Sequence, residues 1–284
     1  MLTFTDQLNE TISLENYPKR IISLVPSQTE LLFDLGLAEN IVGITKFCIH
    51  PKEQIKNISL NNPHIKKIGG TKNFNFEQIK ALSPDLIIGN KEENYQNGIL
   101  ELKQHFPVFM TDIYDLNDAL QMIKSVGNIT NTTEKATNIC NQISKEFAIF
   151  TENFSEKSTE KNQKSNLKTK KKVAYFIWNK PMMIATTNTF IDNMLQLIGF
   201  ENAFSDFVRY PAVSEEDVVS ANPDVIFLSS EPFPFKEKHI SYFKNICPHA
   251  HVQVVDGELF SWYGSRLKYA AKYFKEIVQS INTF

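Results

Sequence analysis

Cysteine, arginine, glycine and tryptophan are all scarce in this 284-residue chain. The three cysteines, Cys48, Cys140 and Cys247, are odd in number and far apart, which excludes a disulfide framework. No run of residues is long and apolar enough to span a bilayer as a helix. Residues 1–20, MLTFTDQLNETISLENYPKR, lack the basic start and apolar core of a signal peptide. As written, the chain is therefore expected to be cytoplasmic, or periplasmic if its N-terminus has been trimmed. Neither sign of charge prevails: the formal net charge of −2 gives no reason to expect nucleic acid as a partner. There is no P-loop, no HExxH and no Ser-His-Asp elbow, and the GG of GGTKN (69–73) lacks the spacing of a dinucleotide fingerprint. Nothing compels catalysis, and no catalytic residue is assigned.

Hydrophobic residues make up 42% of the chain, enough for sizeable cores, and they are arranged in a repeat. Residues 75–89 read NFEQIKALSPDLIIG; residues 214–228 read SEEDVVSANPDVIFL. Aligned without gaps, Asn75 meets Ser214, Glu77 meets Glu216, Pro84 meets Pro223 and Asp85 meets Asp224. Asn75 and Ser214 are N-cap residues, with Gln78 and Asp217 three positions on, as in a capping box or its acidic variant. A short helix is predicted in each copy, stopping before the proline and giving way to an apolar strand buried on both faces. A second pair supports duplication: LLFDLGLAEN (31–40) and MLQLIGFEN (194–202) both read as a helix end closed by glycine, Gly36 or Gly199.

The resulting expectation is an α/β protein of two Rossmann-like lobes with parallel sheets, joined by a long linker helix. Residues 1–113 form the N-terminal lobe, with strands at 21–25, 41–45 and 108–112 and a helix at 28–35 capped by Ser27 with Glu30 at N3. Residues 114–153 form the linker helix, interrupted near Gly127, with Ala136, Ile139, Ile143 and Phe147 along one face. Residues 154–171 are a polar, lysine-ended insertion. Residues 172–284 form the C-terminal lobe, with strands at 172–178 and 252–256 and a final helix at about 265–280.

In open α/β sheets, ligands bind beyond the carboxyl ends of the strands. The loops there are rich in aromatic and cationic side chains. Lys46, Phe47, Cys48, His50, Lys72, Asn90 and Lys91 are the candidate ligand-binding residues of the first lobe. Trp178, Asn179, Arg209, Phe260, Trp262, Tyr263 and Arg266 are those of the second. Aromatics stack on a flat or bulky ligand, and cations suit its anionic groups. The chain has three arginines, Arg20, Arg209 and Arg266, and two of them fall in these loops. Cys48 and His50 are also a candidate metal pair, since thiolate and imidazole are standard ligands. Glu92 and Glu93 are a candidate acid/base pair.

Arg20 to Gly36 (RIISLVPSQTELLFDLG), the two repeat copies and the LFSWYGSR loop together resemble the substrate-binding proteins of ABC importers. The likeness is to the helical-backbone group, and within it to the cobalamin-binding branch related to iron–siderophore binders. It covers nearly all of the chain from about Arg20 onward. The resemblance implies a non-enzymatic, monomeric protein with no covalent cofactor, holding cobalamin, a ferric chelate or another bulky anionic molecule in a cleft between the lobes. It implies that Phe47, Cys48, Lys72, Trp178, Phe260 and Trp262 line the ligand. It further implies that Glu77 and Glu216 dock into arginine pockets on an ABC permease. The alternative is a cytosolic metal- or cofactor-binding protein or enzyme on the same fold, using Cys48 and His50; a scaffold with a vestigial cleft is a third reading.

Overall fold

The computed structural model describes residues 1–56, 63–160 and 170–282. Of the predicted polar insertion, residues 161–169 lie outside these residues, and residues 154–160 continue a helix. The chain divides into two compact units. The first comprises Met1–Ile113, Asn117–Ile143 and Tyr263–Arg266; the second comprises Tyr114–Leu116, Ser144–Trp262 and Leu267–Phe284.

The first unit opens with a hairpin that the sequence reading missed, β1 (Leu2–Thr5) and β2 (Thr11–Leu14). Its turn is organised by Asp6. One carboxylate oxygen of Asp6 accepts the Leu8 and Glu10 amides at 2.9 Å each, and the other accepts Met110 N at 3.1 Å. The main sheet is parallel in the order β5 (Lys66–Lys67), β4 (Ile41–Ile44), β3 (Ile21–Ser23), β8 (Leu86–Asn90), β9 (Val108–Thr111). Strands β3, β4, β8 and β9 are buried along their whole length, as apolar runs covered on both faces must be. Between them, β6 (Gly69–Gly70) and β7 (Asn73–Phe74) form a small hairpin.

The helix after β3 starts earlier than expected. It runs Pro26–Asp34 with Val25 as N-cap and no side-chain cap. Proline at the first position has no amide to leave unsatisfied, so the Ser27 cap is unnecessary. The linker is also different. A helix at Leu116–Ile129 is separated by a turn at Asn131 (φ 57°) from a 28-residue helix, Thr133–Glu160, about 42 Å long. Gly127 is not the interruption. It lies inside the first helix, where a Cβ would collide with the Cβ of Ala136 on the second, so it permits close packing. The buried stripe of the long helix is Ala136, Cys140, Ile143, Phe147 and Phe150; Ile139 is only half-buried.

The second unit is built on β11 (Met183–Ala185), β10 (Lys172–Trp178), β13 (Val225–Ser229) and β14 (His251–Val255), with β12 (Glu201–Asn202) also on β10. All pairings are parallel except β10–β11. Alternate residues serve two cores. Ala174, Phe176, Ile226 and Leu228 pack with Phe235 and Phe243. Tyr175 and Phe227 meet Phe260 at ring centroid distances of 5.2 and 5.9 Å, and Phe260 meets Phe274 at 4.7 Å.

Candidate functional site

In the first unit, three strand-end loops are stitched together by backbone and side-chain hydrogen bonds. After β4 the chain closes a turn, Cys48 N donating to Thr45 O at 3.2 Å, and Lys46 N donates to Gly69 O at 2.8 Å in the β6–β7 hairpin. That hairpin is held to the loop after β8 by Asn94 Nδ2 on Thr71 O (3.1 Å) and by Lys72 Nζ on Glu92 O (2.6 Å). The loops bring Lys46, Phe47, Lys72 and Lys91 into one region, where all four are exposed. Phe47 keeps 52% of its surface exposed although it sits in a tight turn. Lys46 Nζ lies 5.0 Å from its ring centroid, and a Cβ on Gly70 would come within 3.2 Å of its edge. An exposed aromatic flanked by cations suits a bulky anionic surface. Lys91 is already paired with Asp112 at 2.6 Å.

Other candidates of this unit have structural duties. Asn90 is buried. Its amide donates to Thr111 O and Oγ1, both at 3.1 Å, and its carbonyl accepts the Glu92 and Glu93 amides. Cys48 is fully buried, with its sulfur 3.1 Å from Thr29 Oγ1 and 3.2 Å from Thr45 Oγ1. Burial pushes its thiol above the ordinary value, which favours the neutral form over the metal-binding thiolate. His50 is buried too, and no group of three metal-binding side chains exists among the described residues. Burial raises the Glu93 carboxyl, and the neighbouring Glu92 raises it further, against the opposing charge of Lys72.

Arg266, a candidate ligand cation, is paired with Glu30. Its Nε and Nη2 donate to the two carboxylate oxygens at 2.9 and 2.7 Å. Gly264, two residues earlier, lies so close to the first turn of the Pro26–Asp34 helix that a Cβ would stand 2.6 Å from Ser27 O. Tyr263 is buried alongside. Desolvation raises the Glu30 carboxyl despite the guanidinium, so burial outweighs the attraction between the pair.

In the second unit, Trp178 ends β10 with 38% of its surface exposed. Its indole nitrogen donates to Lys180 O at 3.1 Å, and Phe233 meets its ring edge-on at 5.7 Å. Asn179 follows, half-exposed. Arg209 has φ 68° and hydrogen-bonds Tyr114 Oη at 2.9 Å while lying over that ring. The LFSWYGSR loop is not an open loop throughout: a short helix, Gly257–Ser261, turns Phe260 into the core, where it is wholly buried. Trp262 is 7% exposed, and its indole donates to Glu231 Oε1 at 2.7 Å, an oxygen shared with Ser261 Oγ at 2.9 Å. Glu231 and Tyr114 carried no sequence signal, and Glu30 only that of a capping position, because each meets a partner distant in the chain.

The two repeat glutamates both stand on first helical turns. Glu77 belongs to the helix Phe76–Leu82, with its side chain 90% exposed and 3.8 Å from Lys80 Nζ. It lines an open surface depression of about 490 Å³ together with Gly69, Phe74 and Phe76 among others. In the helix Glu215–Ala221, Glu215 and Glu216 are both exposed, and Glu215 accepts the Tyr242 hydroxyl at 2.6 Å. Of these two neighbours it is Glu215 that a nearby side chain engages.

Comparison with known proteins supplies the context. The chain is 28% identical over 275 residues to YvrC of Bacillus subtilis, an uncharacterized ABC transporter substrate-binding lipoprotein; the match covers 94% of this chain and 82% of that one. It is 26% identical over 257 residues to the vitamin B12-binding protein of Pectobacterium carotovorum, covering 90% and 86%. Its fold matches the periplasmic vitamin B12-binding protein BtuF of Vibrio cholerae with a TM-score of 0.77 at 20% identity, covering 94% of this chain and 99% of that one. It also matches the periplasmic heme-binding protein RhuT from Roseiflexus with a TM-score of 0.74 at 19% identity, covering 93% and 98%. The family model described as periplasmic binding protein matches residues 21–244, most of the chain, and the chain belongs to that family.

Proposed function

We propose that this protein is the substrate-binding component of an ABC importer and works outside the cytoplasm. Its cargo is a bulky, metal-containing molecule with anionic groups, with cobalamin or a related corrinoid first and haem or a ferric chelate next. The observation that carries this reading is the family match across residues 21–244, found together with exposed aromatic and cationic side chains at strand ends. Phe47, Lys46, Lys72 and Trp178 are the contacts best presented for such a ligand. Asn179 and Arg209 are polar neighbours, and Cys48, Asn90, Phe260, Trp262 and Arg266 support the loops from within. The work is binding and release, with no bond made or broken. Glu77 and Glu216 are the carboxylates offered to the permease.

Equilibrium titration with cyanocobalamin, cobinamide, haem and ferric siderophores tests the ligand class. Trp178 is the more exposed of the two tryptophans, so quenching of its emission is a direct readout. Binding of at least one of these below the micromolar range, about −8 kcal/mol, is expected. Failure of all four to bind below millimolar concentration overturns the assignment.

A further inference from the structure

The turn that presents Phe47 has a cationic clamp on its inner side. Lys67 is the last residue of β5 and pairs with Ile44 at the end of β4, one step before the turn begins. Its Nζ donates to Thr45 O at 3.3 Å and to Cys48 O at 3.0 Å, the carbonyls of the first and last residues of the turn. Thr45 O is also the acceptor of the bond that closes the turn. One ammonium therefore holds both ends of the four-residue segment that carries Lys46 and Phe47 at its tip. The residue as a whole stays exposed, but its ammonium end is partly withdrawn from water, and desolvation lowers its pKa below the ordinary lysine value. A hydrogen bond from a charged donor is stronger than one from a neutral group, so the clamp resists thermal opening of the turn more than the single closing bond can. The sulfur of Cys48 against the Thr29 and Thr45 hydroxyls fixes the same turn from below.

We propose that Lys67 is a positioning residue for ligand binding: it pre-sets the Phe47 ring by bridging the Thr45 and Cys48 carbonyls, and it does not touch the ligand itself. This rests on the ligand reading above. A side chain already held in its bound pose loses less entropy when a ligand arrives, so the clamp raises affinity without adding a contact.

Two measurements test this, and the first needs no ligand. With Trp178 and Trp262 replaced by phenylalanine, Phe47→Trp places a single reporter on the turn. Lys67→Met is expected to lower its fluorescence anisotropy and speed its quenching by acrylamide, and Lys67→Arg to restore both. An unchanged reporter overturns the clamp whether or not any ligand binds. The second is a double-mutant cycle in the otherwise native protein, read by cobinamide titration. Lys67→Met is expected to weaken binding about tenfold when Phe47 is present, equivalent to ~1.4 kcal/mol of coupling, and to have little effect in a Phe47→Ala background. Lys67→Gln, which keeps a neutral amide donor on a shorter side chain, falls between. An equal loss in both backgrounds overturns the proposal, because the lysine would then act on the ligand directly. If the native protein binds neither cobinamide nor the other probes, the functional reading fails, and the anisotropy result alone decides what Lys67 does.

Discussion

The two copies of the repeated segment agree where the backbone needs them to and differ where solvent sees them. Each helix is capped at its start by Asn75 or Ser214 and ends on a left-handed residue, Ser83 (φ 43°) or Asn222 (φ 49°). Each then runs through Pro-Asp into a fully buried strand. The shared aspartates do the same work. Asp85 accepts the Lys19 and Arg20 amides at 2.8 Å each and Asp224 accepts the Lys172 amide at 2.7 Å, in both cases at the start of the neighbouring strand's course. The exposed first turns diverge: Glu77 faces Lys80, whereas Glu215, Glu216 and Asp217 follow one another. Residues kept in both copies therefore serve register and capping, and Glu77 with Glu216 is the one identical pair exposed in both.

The largest effect is expected where one unit has a feature that the other lacks. The Glu30–Arg266 pair has no equivalent in the second unit's copy of the helix–glycine motif. Both side chains are nearly buried, 11% and 14% exposed. Arg266→Met alone strands a carboxylate and should cost about 3–5 kcal/mol in chemical denaturation. Glu30→Met with Arg266→Met should recover most of that, since an apolar pair carries no desolvation penalty. The pH dependence has a definite sign. Burial holds the folded-state pKa of Glu30 above the ordinary carboxylate value of 4.5. The folded protein thus holds this proton more tightly, and the resulting contribution is full below pH 4.5 and lost as pH rises through the folded value. Glu30→Gln should remove that segment of the stability–pH curve. A curve identical to the native one would show that the pair is charged at no net cost.

The next effect tests the shared surface feature. Charge reversal at Glu77 or Glu216 should each weaken docking to the reconstituted permease by about 10- to 100-fold, the equivalent of one charge-assisted contact of ~1.5–3 kcal/mol, and leave unfolding unchanged. Glu215→Lys should do less, because the Glu215 carboxylate already takes the Tyr242 hydroxyl. Stimulation of the permease's ATPase measures all three, and a Glu215 effect larger than that of Glu216 would reverse the alignment of the two copies.

The matched backbone devices predict a smaller and unequal loss. Asp85 holds two amides and Asp224 one, so Asp85→Ala should cost about 2 kcal/mol and Asp224→Ala about 1 kcal/mol, both discounted for exposure. These aspartates show what the sequence discloses and what it hides. The repeat, its caps Asn75 and Ser214, the glycines at positive φ (Gly36 at 80° and Gly199 at 89°) and the buried strands were legible, because each is a local signal; the Ser27 cap was not borne out. The β1–β2 hairpin was not: LTFT and TISL do alternate apolar and polar residues, but over only four residues each, too short a run to stand out. The site was read least well. An arginine or an aromatic in a loop looks the same whether it faces a ligand or the core. The short helix that buries Phe260 and the carboxylate 236 positions away that engages Arg266 leave no trace nearby. Lys67 carries no local signal, because its ammonium reaches a turn that begins 22 positions earlier.

The smallest effect separates the two caps by pH. Ser214 and Asp217 form a reciprocal capping box: Ser214 Oγ accepts Asp217 N at 3.1 Å, and Asp217 Oδ2 accepts Ser214 N at 2.8 Å. In the first copy only one half forms, Asn75 Oδ1 accepting Gln78 N at 3.0 Å. The Ser214 backbone amide, and then its hydroxyl, hold the Asp217 carboxyl below its ordinary value. A depressed carboxylate stabilises the folded state above the unfolded pKa of about 3.9 and loses that contribution as pH falls through the folded value. Gln78 does not titrate. Acidification from pH 5 towards pH 2 should therefore shift the amide resonances of Ser214 and Asp217 with a midpoint below 3.9 and leave those of Asn75 and Gln78 in place. Asp217→Asn should abolish the transition and make the second copy behave like the first. Equal acid sensitivity in both caps would mean that the acidic box adds nothing to a simple side-chain cap, and that the two helices begin in the same way despite their different third residues.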